Sequence, residues 1–562
     1  MAMKPKKSAA WVAAALALAV SGSFVVFTAV PAQATACSNA TVRYASSSNT
    51  IYLMSGSSTF DSLLALCPAL PIVQTDPVGH VWELEANITV QNGATLTIDG
   101  PAAGGDVATL RMRSLADDLP NDVVEIYADY GTLAFGSVAV TSWDDAAGRP
   151  DTNYTLAAGE PDTDRARALI KVSSYLDSNN VARESTMNID GSDFGYLGYY
   201  AAESYGISYK GEGCDKDHLS VCAAVHVYGS ETNSTFHNNY MGTYTYDSLN
   251  MVFTHDEYAN NVMYGLDTHD DSNNQIVEYD HFDYNADHGY ICSQRCSGLI
   301  VEYNESDHNG LVPYSGPKPP GDDNSSPQIH GIMLHRGDTN DVIADNYVHD
   351  QPNGAGVAVF DSSNDTIRDN TLDNNLYGIR LSVGTQNLEF DRNQISDSSQ
   401  YGVFSYQGTD LPEYTNPSGR PQNITFSGNT FTNTGSNALK LTSSDAFTFS
   451  GNTFNGTLVK GFLISNTTGV VFSGNNLPAG LLTSASADSP QTSDFTYQNA
   501  SGPLAIQLDS DSTATFTNPP GTTYRVTTSS GGYVSSFTQP AGTLSLTSTQ
   551  VGTGVVTVTA SQ

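Results

Sequence analysis

Residues 341–393 read DVIADNYVHDQPNGAGVAVFDSSNDTIRDNTLDNNLYGIRLSVGTQNLEFDRN. Three tripeptides in this segment end on asparagine: Ala344-Asp345-Asn346, Arg368-Asp369-Asn370 and Asp391-Arg392-Asn393, spaced 24 and 23 residues apart. Between them lie short runs in which apolar residues alternate, such as Asp341 to Ala344 and Gly356 to Phe360. Alternation of this kind marks strands with one buried face. A repeat of about 23 residues without a helical period specifies an all-β parallel β-helix, because propeller blades need about 40. The asparagine slot continues at Asn429, Asn452 and Asn475, and upstream at Asp256, Asp280 and Asn304. Asparagine at a turn satisfies backbone groups and tolerates left-handed backbone, so the slot itself is expected to be left-handed. Insertions rich in Pro, Gly, Ser and Asp interrupt the repeat at 311–328 and 407–420.

The repeat runs from about Asp190 to Leu477 and sets the expected organisation. Residues 1–34 carry Lys4, Lys6 and Lys7, an apolar run from Trp11 to Val30, and Ala32-Gln33-Ala34, the pattern of a secretory leader cleaved after Ala34. Residues 35–185 are expected to be β structure leading into the helix, and 186–478 the catalytic β-helix. Residues 479–562, rich in Thr and Ser, are expected to form a C-terminal β cap or small β domain, since a solenoid end needs covering.

The net charge is −36, and without the leader 20 basic residues face 59 acidic ones. Nucleic acid is excluded as a partner by that sign. No segment after the leader is long and apolar enough to span a bilayer, and a secreted, extracellular monomer is expected. Six cysteines in an exported chain imply disulfides, and their spacing suggests Cys37–Cys67, Cys214–Cys222 and Cys292–Cys296.

A glycine opens most units: Gly242, Gly265, Gly289, Gly331, Gly356, Gly378 and Gly402. The first and third residues after it are mostly apolar and point inward, so the second and fourth point outward. The outward columns hold Tyr244, Asp267 and Arg380 in one line, and Tyr246, His269 and His335 in the next. Arg295 follows one coil after His269. Acid, imidazole, guanidinium and aromatic groups on one face suit a carbohydrate polyanion, because arginine matches carboxylates bidentately. Ten of the twelve histidines fall between His226 and His349, which places function in these coils.

Here the chain resembles the bacterial periplasmic mannuronan C5-epimerases of alginate biosynthesis. The family pattern Tyr-Gly-x-Asp-Pro-His-Asp aligns with Tyr264-Gly-Leu-Asp-Thr-His-Asp270. The resemblance continues through His288-Gly289, Ser293-Gln294-Arg295, Arg336 and Ile343 to Asn346, and upstream through Tyr196 to Tyr199, Ser204 to Gly206 and Thr141 to Trp143. It covers roughly residues 130–410. Thr268 stands where the family has Pro, and the segment before Arg295 carries one residue more while that before His288 carries one fewer.

The resemblance implies a right-handed coil and conversion of D-mannuronate to L-guluronate within a polymer. It implies that His269 takes the C5 proton, Arg295 neutralises the substrate carboxylate and Asp267 supports the site. Tyr264 or a water would return the proton. Tyr244, Tyr246, Asp270, His288, His335, Arg336, Lys210 and Arg380 are the expected substrate-binding residues. The expected partner is alginate or another uronate polymer. No cofactor is required and no metal ligand is assigned, while the acidic turns leave calcium binding open. A polysaccharide lyase and a non-catalytic polysaccharide-binding helix are the alternatives, and a metal site at Asp267, His269 and Asp270 is a further one. Hydrolysis by paired carboxylates, Asp267 and Asp271, would leave the arginine without a role.

Overall fold

Each repeat from Thr186 to Ser405 folds into three short strands separated by tight corners. Strands of successive repeats pair in parallel and build three sheets. The first contains Ile207–Gly211, Thr243–Tyr246, Leu266–His269, Tyr290–Cys292, Ile332–His335, Ala355–Phe360 and Tyr377–Ser382. The second contains Val252–Thr254, Ile276–Glu278, Ile300–Glu302 and Val342–Ala344, and the third contains Glu257–Ala259, His281–Asp283, Glu305–Asp307 and Tyr347–His349. The architecture is a right-handed parallel β-helix. This computed structural model describes residues 37–114, 123–152, 167–199, 201–311, 329–500, 502–528, 533–538 and 542–561. The expected leader, 1–34, lies outside them.

The alternation read from the sequence sets the core. Leu266, Ile332, Leu334, Val357, Val359, Ile379, Leu381 and Val403 all point inward and are fully buried. Phe194, Phe236, Tyr258 and Phe282 stack along the interior with ring centroids 5.0 to 5.6 Å apart. Each such side chain contributes about 1.5–3 kcal/mol by leaving water. The glycine that opens each unit is needed for close approach: a Cβ on Gly265 would stand 2.5 Å from the carbonyl oxygen of Gly289.

The asparagine slot forms a buried ladder. Asn346 accepts the backbone N–H of Asn304 at 2.9 Å and donates to the Val301 carbonyl at 2.9 Å. The same pattern links Asn346 to Asn370 and Asn370 to Asn393. The ladder residues are not themselves left-handed, contrary to expectation. The residue before each one is: Asp345, Asp369 and Arg392 have φ of 54°, 58° and 54°. The preceding residue turns the corner, which aims the asparagine side chain inward at the coil behind. A second ladder, not anticipated, runs through Asn239, Asn261, Asn285, Asn309, Gln351 and Asn375 at the next corner. Its signal in the sequence is the doublets Asn238-Asn239, Asn260-Asn261 and Asn374-Asn375.

Residues 36–562 form one unit, so positions 186 and 479 fall inside it. Parallel coils already pair Thr50–Leu53 with Asn87–Asp99. They continue past residue 478 to Ser512–Thr517, which pairs in parallel with Ser493–Gln498. Antiparallel strands then close that end: Thr543–Thr547 on Ser512–Thr517, and Val556–Ser561 between Leu504–Leu508 and Thr523–Thr528. All three expected disulfides are present, with Cα separations of 5.8, 4.6 and 6.4 Å. They mark a chain that matures in an oxidising compartment. Among the described residues, no helix is long and apolar enough to cross a membrane.

Candidate active site on the first sheet

The outward columns of the first sheet stack in the expected register. Tyr244 pairs with Asp267, and Tyr246 with His269. Asp267, Ile291, Met333, Ala358 and Arg380 follow one another in the first column, and His335 with Phe360 extends the second.

These columns point outward without lying open. Tyr244, Tyr264, Ile291, Met333, Ala358 and Phe360 join Tyr240, Met241, Val262 and Met263 in a second apolar cluster outside the coil. Asp267 is 1% exposed and accepts from the Ser293 hydroxyl at 2.7 Å. The members reachable from solvent are Tyr246, His269, Arg295, His335 and Arg336, at or just past the C-terminal ends of consecutive strands.

His269 is the centre of this line. Its ring stacks on Tyr246, centroids 5.7 Å apart and planes 13° apart, and tilts against Tyr244 at 5.6 Å. Its Nδ1 lies 2.6 Å from Asp270 Oδ2. The contact is short, but the N–H is poorly aligned with the oxygen, so it acts as an ion pair more than a hydrogen bond. Burial pulls the pKa of His269 down, but Asp270 and Asp267 outweigh it and the net direction is up. Burial acts oppositely on Asp270, and His269 with Arg295 overcomes it, holding that carboxyl below its ordinary value.

Arg295 closes the triad. One terminal nitrogen contacts Asp270 Oδ1 and lies 2.8 Å from Asp271 Oδ2, and Nε lies 3.1 Å from the same Asp271 oxygen. The other terminal nitrogen donates to the Tyr414 hydroxyl at 3.1 Å. Arg295 is expected to meet a substrate carboxylate; in the structure its guanidinium faces two aspartates, Asp270 and Asp271. Arg336, one coil on, forms no ion pair among the described residues, and its backbone carbonyl receives the Arg295 N–H at 2.9 Å. Burial, reinforced by the Arg336 charge, holds His335 well below its ordinary pKa. The line thus carries one imidazole biased towards protonation and one kept neutral.

The remaining expected residues divide. Lys210 reaches the site, with Nζ 3.2 Å from the Tyr246 ring centroid and 3.1 Å from Glu203, which also binds Lys171. Arg380 lies four coils from Asp267, donating to the Tyr406 hydroxyl and packed against Phe360 and Tyr377. His288 is 4% exposed and stacked between Tyr264 and His330. That sandwich covers the ring faces of His288 and one face of the Tyr264 ring. The donor atoms of Asp267, His269 and Asp270 are not brought together as a metal-ligating group among the described residues.

The sequence reading considered Asp271 only as a carboxylate for hydrolysis, and it missed His330 and Tyr414. Asp271 directly follows the motif. Tyr414 lies in the 407–420 insertion, outside the repeat phase, so no periodicity points to it. That insertion folds back on the site: Asp361 accepts the backbone N–H groups of Glu413, Tyr414 and Thr415.

A family model described as right handed beta helix region matches residues 212–318 and 324–418. Among solved structures, the crystal structure of the periplasmic alginate epimerase AlgG is similar, with a TM-score of 0.56 and 16% identity, over 76% of this chain and 85% of that one. Crystal structures of two variants of that protein match to the same measures. No curated protein matches the sequence. At this identity the likeness concerns the fold: the chain winds as that epimerase winds.

Proposed function

We propose that this protein acts on a uronic-acid polysaccharide as a polymer-level C5-epimerase, converting D-mannuronate to L-guluronate residues in alginate or a related polyuronate. The observation that carries the reading is His269, clamped through Nδ1 by Asp270 and Arg295 beside two aromatic rings. With Nδ1 facing a carboxylate, the neutral ring presents Nε2 as a base. The fold likeness to an alginate epimerase supports the same assignment.

The C5 hydrogen of a uronate is weakly acidic because its carboxylate already bears charge. A cation against that carboxylate makes the carbanion accessible. Arg336 takes this role, since Arg295 is matched by aspartates. His269 removes the C5 proton, and Asp270 stabilises the imidazolium that results. A proton returned from the opposite ring face, by Tyr264 or water, completes inversion without an external acceptor. Tyr246 supplies an apolar ring face for a sugar. The reaction as written needs no cofactor.

The test is to incubate the protein with polymannuronate and read guluronate by ¹H NMR alongside ultraviolet absorbance. Guluronate without new absorbance is expected. Absorbance from an unsaturated sugar would identify a lyase, and unchanged polymer that still binds would identify a non-catalytic module. His269→Gln is expected to lower the rate by about 10²–10⁴-fold, the usual contribution of a general base.

A further inference from the structure

The third sheet, which the proposed reaction does not use, carries a second concentration of histidine. Register places Glu257, His281, Glu305 and Tyr347 in one outward column, and Ala259, Asp283, Asp307 and His349 in the next. His308 follows Asp307 at a left-handed corner, φ 52°.

These side chains converge. His281 Nε2 lies 2.7 Å from Asp307 Oδ1, and His308 Nδ1 contacts the other oxygen of the same carboxylate. His349 Nε2 lies 3.1 Å from Glu305 Oε1, and its Nδ1 lies 2.7 Å from Asp350 Oδ2. One donor atom each from His281, Glu305 and Asp307 falls within a 4.8 Å span. Asp283 Oδ1, one coil away in the Asp307 column, is shut from solvent and has no hydrogen-bond partner. The His308 and His349 rings meet edge to face, 6.4 Å apart.

Imidazole together with carboxylate is a preferred donor set of divalent transition metals. The strands that carry the donors are fixed by the ladder at Asn285 and Asn309, so little must be ordered on binding. Tetrahedral zinc separates its ligand atoms by roughly 3.4 Å, inside the span these donors already occupy.

We propose that His281, Glu305 and Asp307 form a structural site for a divalent transition metal, zinc(II) by donor chemistry, that ties two successive coils together. His308, His349 or water supplies the fourth ligand. Calcium is disfavoured because it takes six to eight oxygen ligands.

The test uses the full-length, tag-free protein stripped with chelator and titrated with zinc chloride by calorimetry and thermal unfolding. About one equivalent with micromolar or tighter affinity, and a raised Tm, are expected. His281→Gln and Glu305→Gln alter half-exposed side chains. Each is expected to weaken zinc binding at least tenfold while the circular dichroism spectrum stays unchanged. Cobalt(II) is expected to give visible absorption typical of nitrogen and oxygen ligands. No saturable zinc binding to the parent protein, or equal binding in both variants, would overturn the proposal. Calcium stabilising as well as zinc would overturn the metal class.

Discussion

His269 and Asp270 divide the chemistry between neighbouring side chains. Asp270 is the main upward influence on the imidazole and opposes its burial. The base works only when neutral, so kcat/KM should rise with pH through a midpoint above the ordinary histidine value of 6.5. Asp270→Asn removes the larger upward influence and leaves Asp267 against burial, so the acid limb should move to lower pH. A pH–rate profile checks this, and an unmoved limb would mean that His269 does not set it. His269 and Asp267 were legible because strand alternation and a short motif both point to them. The contacts of Arg295 were not. Its partners, Asp271 and Tyr414, depend on how a corner and a distant insertion fold, and neither follows the repeat.

The corner ladder shows why some coils are chemically unlike others. Asparagine at this slot both accepts and donates, but Asp256 and Asp280 occupy it in two adjacent coils. Asp280 Oδ2 is buried without a partner. Burial, with Asp280 and Glu231 adding like charge, pushes the Asp256 carboxyl up to about 9, against hydrogen bonds from the backbone of Ser234 and Thr254. Burial also raises Asp280 well above its ordinary value. An acid whose folded pKa is raised binds more protons folded than unfolded. Its favourable contribution is complete below the unfolded pKa and is lost as pH rises through the folded one. Thermal unfolding should therefore show Asp256→Asn more stable than the parent at pH 8, with the difference shrinking towards pH 4. Equal Tm differences at both pH values would contradict a protonated ladder. The slot was legible from spacing, but its consequence for protonation was not, because burial depends on the stacked coils.

Across residues 36–562, a strongly acidic chain presents its lysines and arginines unevenly. Lys171 and Lys210 share Glu203 beside His269, while Arg336 and Arg380 lie along the same sheet without carboxylate partners. On the proposed reading, Arg336 offsets some of the repulsion a polyanion meets elsewhere on the surface. The fold was legible because a 23-residue period leaves few architectures, and inward positions followed from alternation alone. The closure of the C-terminal end was less legible, since parallel and antiparallel strands share the same Thr-rich alternation. The central claim, reversible removal of the C5 proton by His269, is tested most directly in D₂O. Polymannuronate incubated with the parent protein should gain guluronate residues carrying deuterium at C5, and His269→Gln should give almost none. Neither deuterium nor guluronate with the parent protein, across several uronate polymers, would contradict the account.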